Sequence, residues 1–498
     1  MLVTTIGVWQ PYKIKMDTAP VVIGIGDIQQ KDNFDNLDEA LVLMNKVTEA
    51  AINDCGNKNI VNFIDEIRIP KGYWKYRDPG KWIANKNNFS NTKTYVTKIG
   101  VLQQNLINAA CKKILSGEIN GSFIVGGESR YKRTKALIEK KDYEETELNI
   151  NPDFYVKAKD DLYADIEKKE LGMMAVGYYS IIESSLRAKS SKTFNQHHEY
   201  IAKFYSEFSK IASKNDAGWI DNPFKPDEIL NSSNINPEIA FPYNKFHCSS
   251  WNVNQAAGLI ICSTKVADLL NIAESKRVYL LASSENNFMI PTLLRPNLSE
   301  SYGMNLAAEF ILNICKINNI SEVIYDLYSC FPAAVEMFAE ALKIKNISQS
   351  SITGGMSFAG GPLNSYVLNS TVQMIRKIRS EENKCGIVTG ISGMMTKQSF
   401  ALWGKKNLIN FSFIDVTEEA ESHEVPYKIS SETSGEGNII GYTIIKNEKS
   451  VKKAVIYVED ANKNRNIITS ENKEVIESME INEWVGKWIK FKNLLLIV

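Results

Sequence analysis

Few side chains in this sequence could act as nucleophiles or metal ligands. The 498 residues contain seven cysteines, without a Cys-x-x-Cys pair, and four histidines. Scattered cysteines in odd number are typical of reduced thiols and not of a disulfide framework or a zinc site. With so few imidazoles, the sequence predicts no metal site. We also expect no tightly bound cofactor. The cysteines are Cys55, Cys111, Cys248, Cys262, Cys315, Cys330 and Cys385.

Three of the four histidines lie in or next to segments with a recognisable sequence pattern. His197 and His198 lie in a polar, helical stretch, where we expect a solvated surface. His247 follows the run Pro242-Tyr243-Asn244-Lys245. A structural hydrogen-bonding role is favoured for His247, with a catalytic role as the alternative.

Two glycine-rich stretches could bring the backbone against a ligand. Gly354, Gly355, Gly360 and Gly361 lie in one short segment, where glycine permits either close approach of a ligand or a tight turn needed for packing. Both interpretations remain open. The run Gly24-Ile25-Gly26 lacks the third glycine of a dinucleotide-binding fingerprint and does not favour such a site.

Composition and charge exclude several classes of function. Lys plus Arg and Asp plus Glu both number 58, so the formal net charge is zero, and no long-range field would attract nucleic acid. No apolar run approaches the roughly 18 residues of a membrane-spanning helix. Residues 1–17 lack the features of a secretory signal, so we expect a cytoplasmic protein.

The elements that would position these groups alternate between strands and helices, in two sets of the same order. The first set is a strand at 21–26, a helix at 38–55, a strand at 64–69, a helix at 101–116 and a strand at 122–127. The second set is a strand at 278–282, a helix at 304–315, a strand at 322–328 and a helix at 332–342, followed by a glycine-rich turn and a helix around 368–378 that leads to a strand at 385–390. The repeated β-α-β-α-β order indicates an internal duplication and an α/β fold.

Two further segments differ from this pattern. Residues 130–235 form a long polar, helical stretch, whose aromatic residues, Tyr178 and Tyr179 among them, we interpret as the core of an inserted subdomain. Residues 429–498 consist of short β-rich runs, which predict a small all-β domain. Its rhythm resembles an oligonucleotide/oligosaccharide-binding (OB) barrel, without a clear basic and aromatic face for nucleic acid.

Several motifs resemble the thiolase superfamily. They are residues 236–245 (NPEIAFPYNK), residues 251–257 (WNVNQAA), residues 326–332 (DLYSCFP), the glycines within 353–362, and Thr396-Lys397. Together they are similar to the branch related to sterol carrier protein x thiolase. The extra C-terminal β domain points within that branch to thiolase-like protein type 1.

The resemblance implies a thiolase fold, in which duplicated β-α-β-α-β halves form five layers in the order α/β/α/β/α. The implied regions are an N-terminal half (18–129 and 236–275), a helical loop domain (130–235), a C-terminal half (276–415) and an OB-like β domain (429–498). Relatives that act as aldolases work with an OB-type partner, which the attached β domain would replace. We expect a monomer or a homodimer.

The resemblance also implies where reacting groups would lie. Thiolases use a nucleophilic cysteine at a helix N-terminus, a histidine in a Gly-His-Pro turn and a second cysteine as acid and base. These positions fall at about Gly100, at Gly361 and at about Gly390. Cys111 lies roughly 16 Å further along the helix, at about 1.5 Å per residue, and cannot replace the nucleophile. Thiolysis through a cysteine acyl-enzyme is therefore not expected.

Tyr328 and Cys330 are the candidates that the resemblance leaves. Tyr328 stands where relatives carry an oxyanion-hole residue, and its phenol could donate a hydrogen bond to an enolate oxygen or act as a general acid. The alternative for Tyr328 is a residue that ends a buried strand, with its hydroxyl bonded to the backbone. A free cysteine after a strand, such as Cys330, is more often a small buried hydrophobe than a catalyst.

The resemblance therefore implies a thiolase-like, acetyl-CoA acetyltransferase-like protein of lipid metabolism that binds coenzyme A or acyl-CoA. The candidate catalytic residues are Tyr328, His247 and Cys330, and the candidate ligand-binding residues are Gly354, Gly355, Gly360 and Gly361. Retro-aldol cleavage of a β-hydroxyacyl-CoA suits these residues because it needs no acyl-enzyme. The alternative is a non-catalytic acyl-CoA-binding or scaffold protein.

Overall fold

The structure, a computed structural model, describes residues 12–13, 18–158, 162–381, 384–406, 408, 410–446 and 451–497. Apart from residues 12–13, the segment 1–17, on which the expectation of no secretory signal rests, lies outside this description. Within the described ranges, none of the helices combines the length and the apolar character needed to cross a bilayer.

Strands and helices alternate through most of the chain. The strands are β1 (Tyr12–Lys13), β2 (Pro20–Gln29), β3 (Glu66–Pro70), β4 (Lys93–Thr97), β5 (Gly121–Ser129), β6 (Phe154–Val156), β7 (Glu238–Ala240), β8 (Tyr243–Asn244), β9 (Asn254–Ser263), β10 (Val278–Asn286), β11 (Val323–Asp326), β12 (Cys385–Ser392), β13 (Lys397–Gly404), β14 (Asn410–Asp415), β15 (Gly435–Lys446), β16 (Lys452–Glu459), β17 (Arg465–Ser470), β18 (Trp488–Lys492) and β19 (Leu495–Ile497). The helices are α1 (Ala40–Cys55), α2 (Pro79–Lys86), α3 (Gln103–Ser116), α4 (Arg130–Glu139), α5 (Asp165–Leu171), α6 (Ala175–Lys189), α7 (Phe194–Ala212), α8 (Pro226–Leu230), α9 (Thr264–Leu269), α10 (Tyr302–Ile317), α11 (Pro332–Ala341), α12 (Tyr366–Ser380), α13 (Thr417–His423) and α14 (Lys473–Ile481).

Two groups of strands form the core of the molecule. The first runs in the order β2-β9-β5-β3-β4-β6 and the second in the order β10-β13-β12-β11, with β14 also paired to β10. They join through β2 and β10, at the pairs Val21–Tyr279 and Val22–Val278. Every residue of β5, β9 and β10 is buried, as expected for strands covered on both faces.

Helices separate and cover the two groups of strands. Helices α3 and α12 contact strands of both groups as well as each other, whereas α1 packs on the first group and α10 on the second. The layers therefore follow the order α/β/α/β/α, and the predicted fold class is confirmed. The inserted segment contributes α4 to α8, and its strand β6 pairs with β4 at the edge of the first group.

Two predicted boundaries are corrected by the structure. The strand predicted over 322–328 ends at Asp326, so Tyr328 belongs to the loop that follows and does not end a strand. The helix predicted from residue 101 begins at Gln103, which leaves Gly100 in the preceding turn.

The C-terminal region forms a closed barrel with the strand order β15-β16-β17-β19-β18. Its sequence predicted strands alone, but α14 lies between β17 and β18. The barrel packs on α6: the Tyr442 N–H donates to Ser184 Oγ at 2.8 Å, and the buried Arg187 donates to the Tyr442 hydroxyl at 2.9 Å and to Glu483 at 2.7 Å. Buried, charge-assisted contacts of this kind fix the orientation of the barrel on the insert.

Close packing of β2 on α1 predicts that a methyl group at Gly24 is not tolerated. A Cβ there would lie 2.3 Å from the Ala51 carbonyl oxygen. We expect Gly24→Ala to lower the free energy of unfolding by about 3 kcal/mol. Urea unfolding followed by circular dichroism measures the change. Gly56→Ala is the control, because Gly56 has a φ of 84° but open space around it, which predicts a loss of only about 1 kcal/mol. Equal losses in both variants would contradict the packing argument.

Candidate active site

Five loops converge where the two halves of the core meet, and they are called the site loops below. They are residues 98–102 before α3, residues 247–251 before β9, residues 327–331 after β11, residues 353–362, and residues 389–397 from the end of β12 to the start of β13. Hydrogen bonds connect them into one network. These bonds are Lys397 Nζ to Gly100 O at 2.9 Å, Ser249 N to Cys330 O at 3.0 Å, Met356 N to Ser329 Oγ at 2.9 Å, Gly361 N to Ser250 O at 2.9 Å and Tyr328 N to Thr389 Oγ1 at 2.8 Å.

The space beside each implied catalytic position is filled by a small side chain. A Cβ at Gly361 would lie 2.0 Å from Ser249 Oγ, and a Cβ at Gly390 would lie 2.7 Å from Ser399 Oγ. At Gly100, which has a φ of 109°, a Cβ would lie 3.0 Å from the Ala158 methyl group. A larger side chain at Gly361 or Gly390 would therefore have to displace a serine hydroxyl.

Two other glycines of the site loops are held by hydrogen bonds within their own segment. The amides of Gly354 and Gly355 donate to Ser351 Oγ at 2.9 Å and to Thr353 Oγ1 at 3.2 Å. A Cβ at Gly360 would lie 2.4 Å from the side-chain oxygen of Gln255. These contacts favour a tight packed turn. They disfavour direct hydrogen bonds from the amides of Gly354 and Gly355 to a ligand.

Tyr328 is buried within the site loops, with 8% of its surface exposed. Its ring meets the edge of Tyr366, with the ring centroids 5.6 Å apart. Burial and the neighbouring Cys330 raise the pKa of Tyr328 above its ordinary value. Among the hydrogen bonds of the described residues, none involves the Tyr328 hydroxyl. Tyr328 is therefore a neutral phenol with an uncommitted hydrogen-bond donor.

Cys330 carries a protonated thiol. Burial raises its pKa to about 12, partly offset by a hydrogen bond from the Tyr179 hydroxyl. Since the thiolate is the nucleophilic form, a cysteine with this pKa reacts slowly at neutral pH. The environment of Cys330 thus favours a packing role, as a small buried apolar residue, over a catalytic role.

His247 is held as a neutral imidazole. Its Nδ1 accepts a hydrogen bond from the Asn244 N–H at 3.0 Å, and its ring lies 5.8 Å from the rings of both Tyr205 and Tyr243. Burial lowers the pKa of His247 to about 4. Because the lone pair of Nδ1 is engaged, the proton resides on Nε2, and His247 can donate a hydrogen bond but is poorly placed to act as a base.

Three residues of the insert are placed differently from the sequence expectation. His197 and His198 are expected at a solvated surface, but His197 is fully buried, with its Nε2 atom 2.6 Å from Glu183 Oε1, and His198 is half-buried. Tyr179, assigned to the subdomain core, also reaches the site loops: its hydroxyl accepts from the Met395 N–H at 3.2 Å, and its ring stacks on Phe331 at 4.5 Å. The local sequence pattern carries no signal for these long-range contacts.

A fully buried carboxylate, Asp326, orders two of the site loops. Its oxygens accept six hydrogen bonds, from the Ser351 hydroxyl, the amides of Ile352 and Thr353, and the hydroxyls of Thr353, Tyr366 and Ser370, at distances from 2.6 to 3.3 Å. A buried charge is stable only when its oxygens are satisfied in this way.

Comparison with known proteins decides the fold. Neither a family model nor a curated protein matches the sequence. Among solved structures, a monomeric SCP2-thiolase-like protein type 1 from Mycobacterium smegmatis matches 99% of this chain and 100% of its own, with a TM-score of 0.80 at 19% identity. The chain has the thiolase fold. The match includes the C-terminal barrel, since it spans nearly the whole chain.

Two further structures with the thiolase fold match only part of this chain. The Ltp2-ChsH2(DUF35) aldolase matches 79% of this chain and 100% of its own, with a TM-score of 0.58 at 14% identity. The dimeric peroxisomal thiolase of Saccharomyces cerevisiae matches 79% of this chain and 99% of its own, with a TM-score of 0.54 at 13% identity. The resemblance read from the sequence is thus confirmed at the level of the fold.

A separate cavity of about 320 Å³ lies at the end of β5 and contains a buried carboxyl group, Glu128. Burial raises the pKa of Glu128 to about 7, and the charge of Glu145 adds to this, whereas the Tyr73 amide, Lys71 and Arg130 lower it. Ionisation of Glu128 is therefore less favourable in the folded protein than in the unfolded chain.

Asp326→Asn should destabilise the protein because an amide group would face hydrogen-bond donors. We expect the free energy of unfolding to fall by about 3 kcal/mol, measured by urea unfolding. Asp460→Asn is the matched control: Asp460 also accepts from two backbone amides, at 2.8 Å each, but in a partly exposed turn, where we expect a loss below about 1 kcal/mol. Similar losses would show that burial of the Asp326 charge is not decisive.

Glu128→Gln should stabilise the protein at pH 8 and not at pH 5. Because the pKa of Glu128 is higher in the folded protein than in the unfolded chain, the free energy of unfolding is highest below the pKa of this group in the unfolded chain. It falls as the pH rises through about 7. Glutamine removes this loss, which is at most about 3 kcal/mol. Unfolding of both proteins at the two pH values measures it, with the exposed Glu144→Gln as the control. A pH-independent difference would contradict the assignment.

Proposed function

We propose that this chain binds an acyl-CoA at the site loops and, where it acts as an enzyme, cleaves a β-hydroxyacyl-CoA in the retro-aldol sense. The observation that carries the proposal is the hydroxyl of the buried Tyr328, which has no hydrogen-bond partner among the described residues and lies among the site loops of a thiolase fold. The aldolase with the same fold supports the reaction class.

Tyr328 supplies the group that this reaction needs at the thioester oxygen. A base takes the proton of the β-hydroxyl group, the Cα–Cβ bond breaks, and its electron pair moves into the thioester to form an enolate. The β-carbon leaves as an aldehyde or ketone, and the enolate carbon is then protonated. A phenol that stays neutral can donate a hydrogen bond to the enolate oxygen throughout. Its raised pKa makes this role better suited to Tyr328 than proton transfer.

Thiolysis through an acyl-enzyme fits the site less well. It requires a thiolate at a helix N-terminus, and Gly100 occupies the turn before α3. Cys330 is protonated at neutral pH, and Cys111 lies fully buried within α3. The retro-aldol route avoids these requirements because it forms no bond to the protein.

A second candidate function is non-catalytic acyl-CoA binding or a scaffold role. The serine hydroxyls beside Gly361 and Gly390 favour it, because they fill space in which reacting groups would have to fit. Tyr328 would then contribute only to the wall of the binding site.

The C-terminal barrel supports a self-contained protein under either function. It packs on α6, the helix that also carries Tyr179 to the site loops. We propose that it takes the position of the separate partner chain used by aldolases of this fold, and that the protein is a monomer, as is the M. smegmatis structure.

Tyr328→Phe tests the catalytic proposal. A panel of β-hydroxyacyl-CoA thioesters of increasing chain length is assayed for release of the shortened acyl-CoA, and we expect kcat to fall about 100-fold with little change in KM. Tyr325→Phe, on strand β11, is the control with unchanged activity. Full activity of Tyr328→Phe would remove Tyr328 from the reaction.

Coenzyme A binding, measured by calorimetry on the same variants, separates the two functions. We expect both variants to bind coenzyme A as the unsubstituted protein does, since phenylalanine keeps the ring. Binding without turnover across the whole panel would favour the scaffold, and absence of binding would contradict both functions.

A further inference from the structure

Three helices meet at a buried cluster of metal-binding side chains that lies outside the site loops. Glu183 on α6 and His197 on α7 are fully buried, and Glu336 on α11 has 14% of its side chain exposed. His197 Nε2 lies 2.6 Å from Glu183 Oε1 and 3.9 Å from Glu336 Oε1. One ligand atom from each residue lies within 4.8 Å of the other two.

From this arrangement we infer that Glu183, His197 and Glu336 bind one divalent transition-metal ion. One imidazole and two carboxylates form a donor set that suits zinc, iron or manganese. Metal binding requires both carboxyl groups to be deprotonated, with release of any bound proton to solvent. A divalent ion would then neutralise two carboxylates, each of which is costly to bury without a positive charge. The inference is independent of the proposed acyl-CoA function.

The hydrogen bonds of the cluster leave a place for the ion. Glu336 Oε1 is shielded from solvent and has no hydrogen-bond partner among the described residues, although it points toward His197 Nε2. The second oxygen of Glu183 accepts from the Tyr243 hydroxyl at 2.5 Å. Such a second contact orients a carboxylate ligand toward a metal.

The cluster also has an entry path. Glu336 lines a cavity of about 470 Å³ between α6, α7 and the segment after α11, together with Tyr200 and Lys345. Three protein ligands leave a coordination position for water or a small anion, as in catalytic zinc sites. That position would face the cavity through Glu336.

Binding requires a small rearrangement of the cluster. Two ligand atoms around a tetrahedral zinc ion lie about 3.3 Å apart, given metal–ligand distances of about 2.0 Å. His197 Nε2 and Glu183 Oε1, now 2.6 Å apart, would separate by about 0.7 Å, and the proton between them would move to His197 Nδ1 or to solvent. Rotation of side chains on three separate helices can supply this movement.

The test measures zinc on the full chain. The protein is treated with EDTA, incubated with zinc chloride and desalted, and its zinc is measured by mass spectrometry. We expect about one ion per chain, a higher thermal unfolding midpoint with zinc, and a d–d absorption band typical of tetrahedral cobalt when cobalt chloride replaces zinc.

Glu336→Gln and His197→Gln are the decisive variants. Glutamine keeps the size of Glu336 but is a poor metal ligand, so this variant should fold, as checked by circular dichroism. We expect each variant to bind zinc at least about 10-fold more weakly. His423→Gln is the control with unchanged binding, since it removes a histidine on α13 outside the cluster. Absence of retained zinc, or equal zinc in Glu336→Gln, would overturn the site; the latter would assign the ion to cysteines or to the surface.

Discussion

The carboxylate of Asp326 is the constraint on which the site loops depend. It is fully buried, and its six hydrogen bonds come from residues 351–353 and from α12. A buried carboxylate satisfied by neutral donors is favourable only when all of those donors are in place. The glycine segment and the start of α12 must therefore adopt their folded positions together. Tyr328, two residues further along, is then fixed against Thr389 on β12.

The same constraint explains why the glycine segment is compact. Once Asp326 holds residues 351–353, their hydroxyls are left to accept the amides of Gly354 and Gly355, and the chain turns back toward residue 361. The turn brings Gly361 against Ser249, which itself donates to the carbonyl of Cys330. The hydrogen bonds of the backbone amides and carbonyls thus determine how close the loops approach each other, and the small side chains fill the space that remains.

The layered fold could be predicted from the sequence, whereas much of the site could not. Buried strands such as β2 and amphipathic helices such as α1 are encoded by local periodicity, so the duplicated order was visible. The roles of His197 and Tyr179 depend on partners far along the chain, Glu183 and Glu336 for the first and Met395 for the second. No local pattern identifies such partners. The sequence does not reveal the strand end at Asp326, because the apolar character continues through Leu327 and Tyr328 into the loop.

Helix α6 shows how distant parts of the molecule are coupled. Tyr179, Glu183 and Arg187 are buried and spaced four residues apart, which places them along one stripe of about 12 Å. In that order they contact the site loops, the His197 cluster and the C-terminal barrel. Polar residues at this spacing in a buried helix must each find a partner, so the stripe requires all three neighbours to be present. The barrel is for this reason part of the folded unit that positions Tyr179 and, through Phe331, the loop that carries Tyr328.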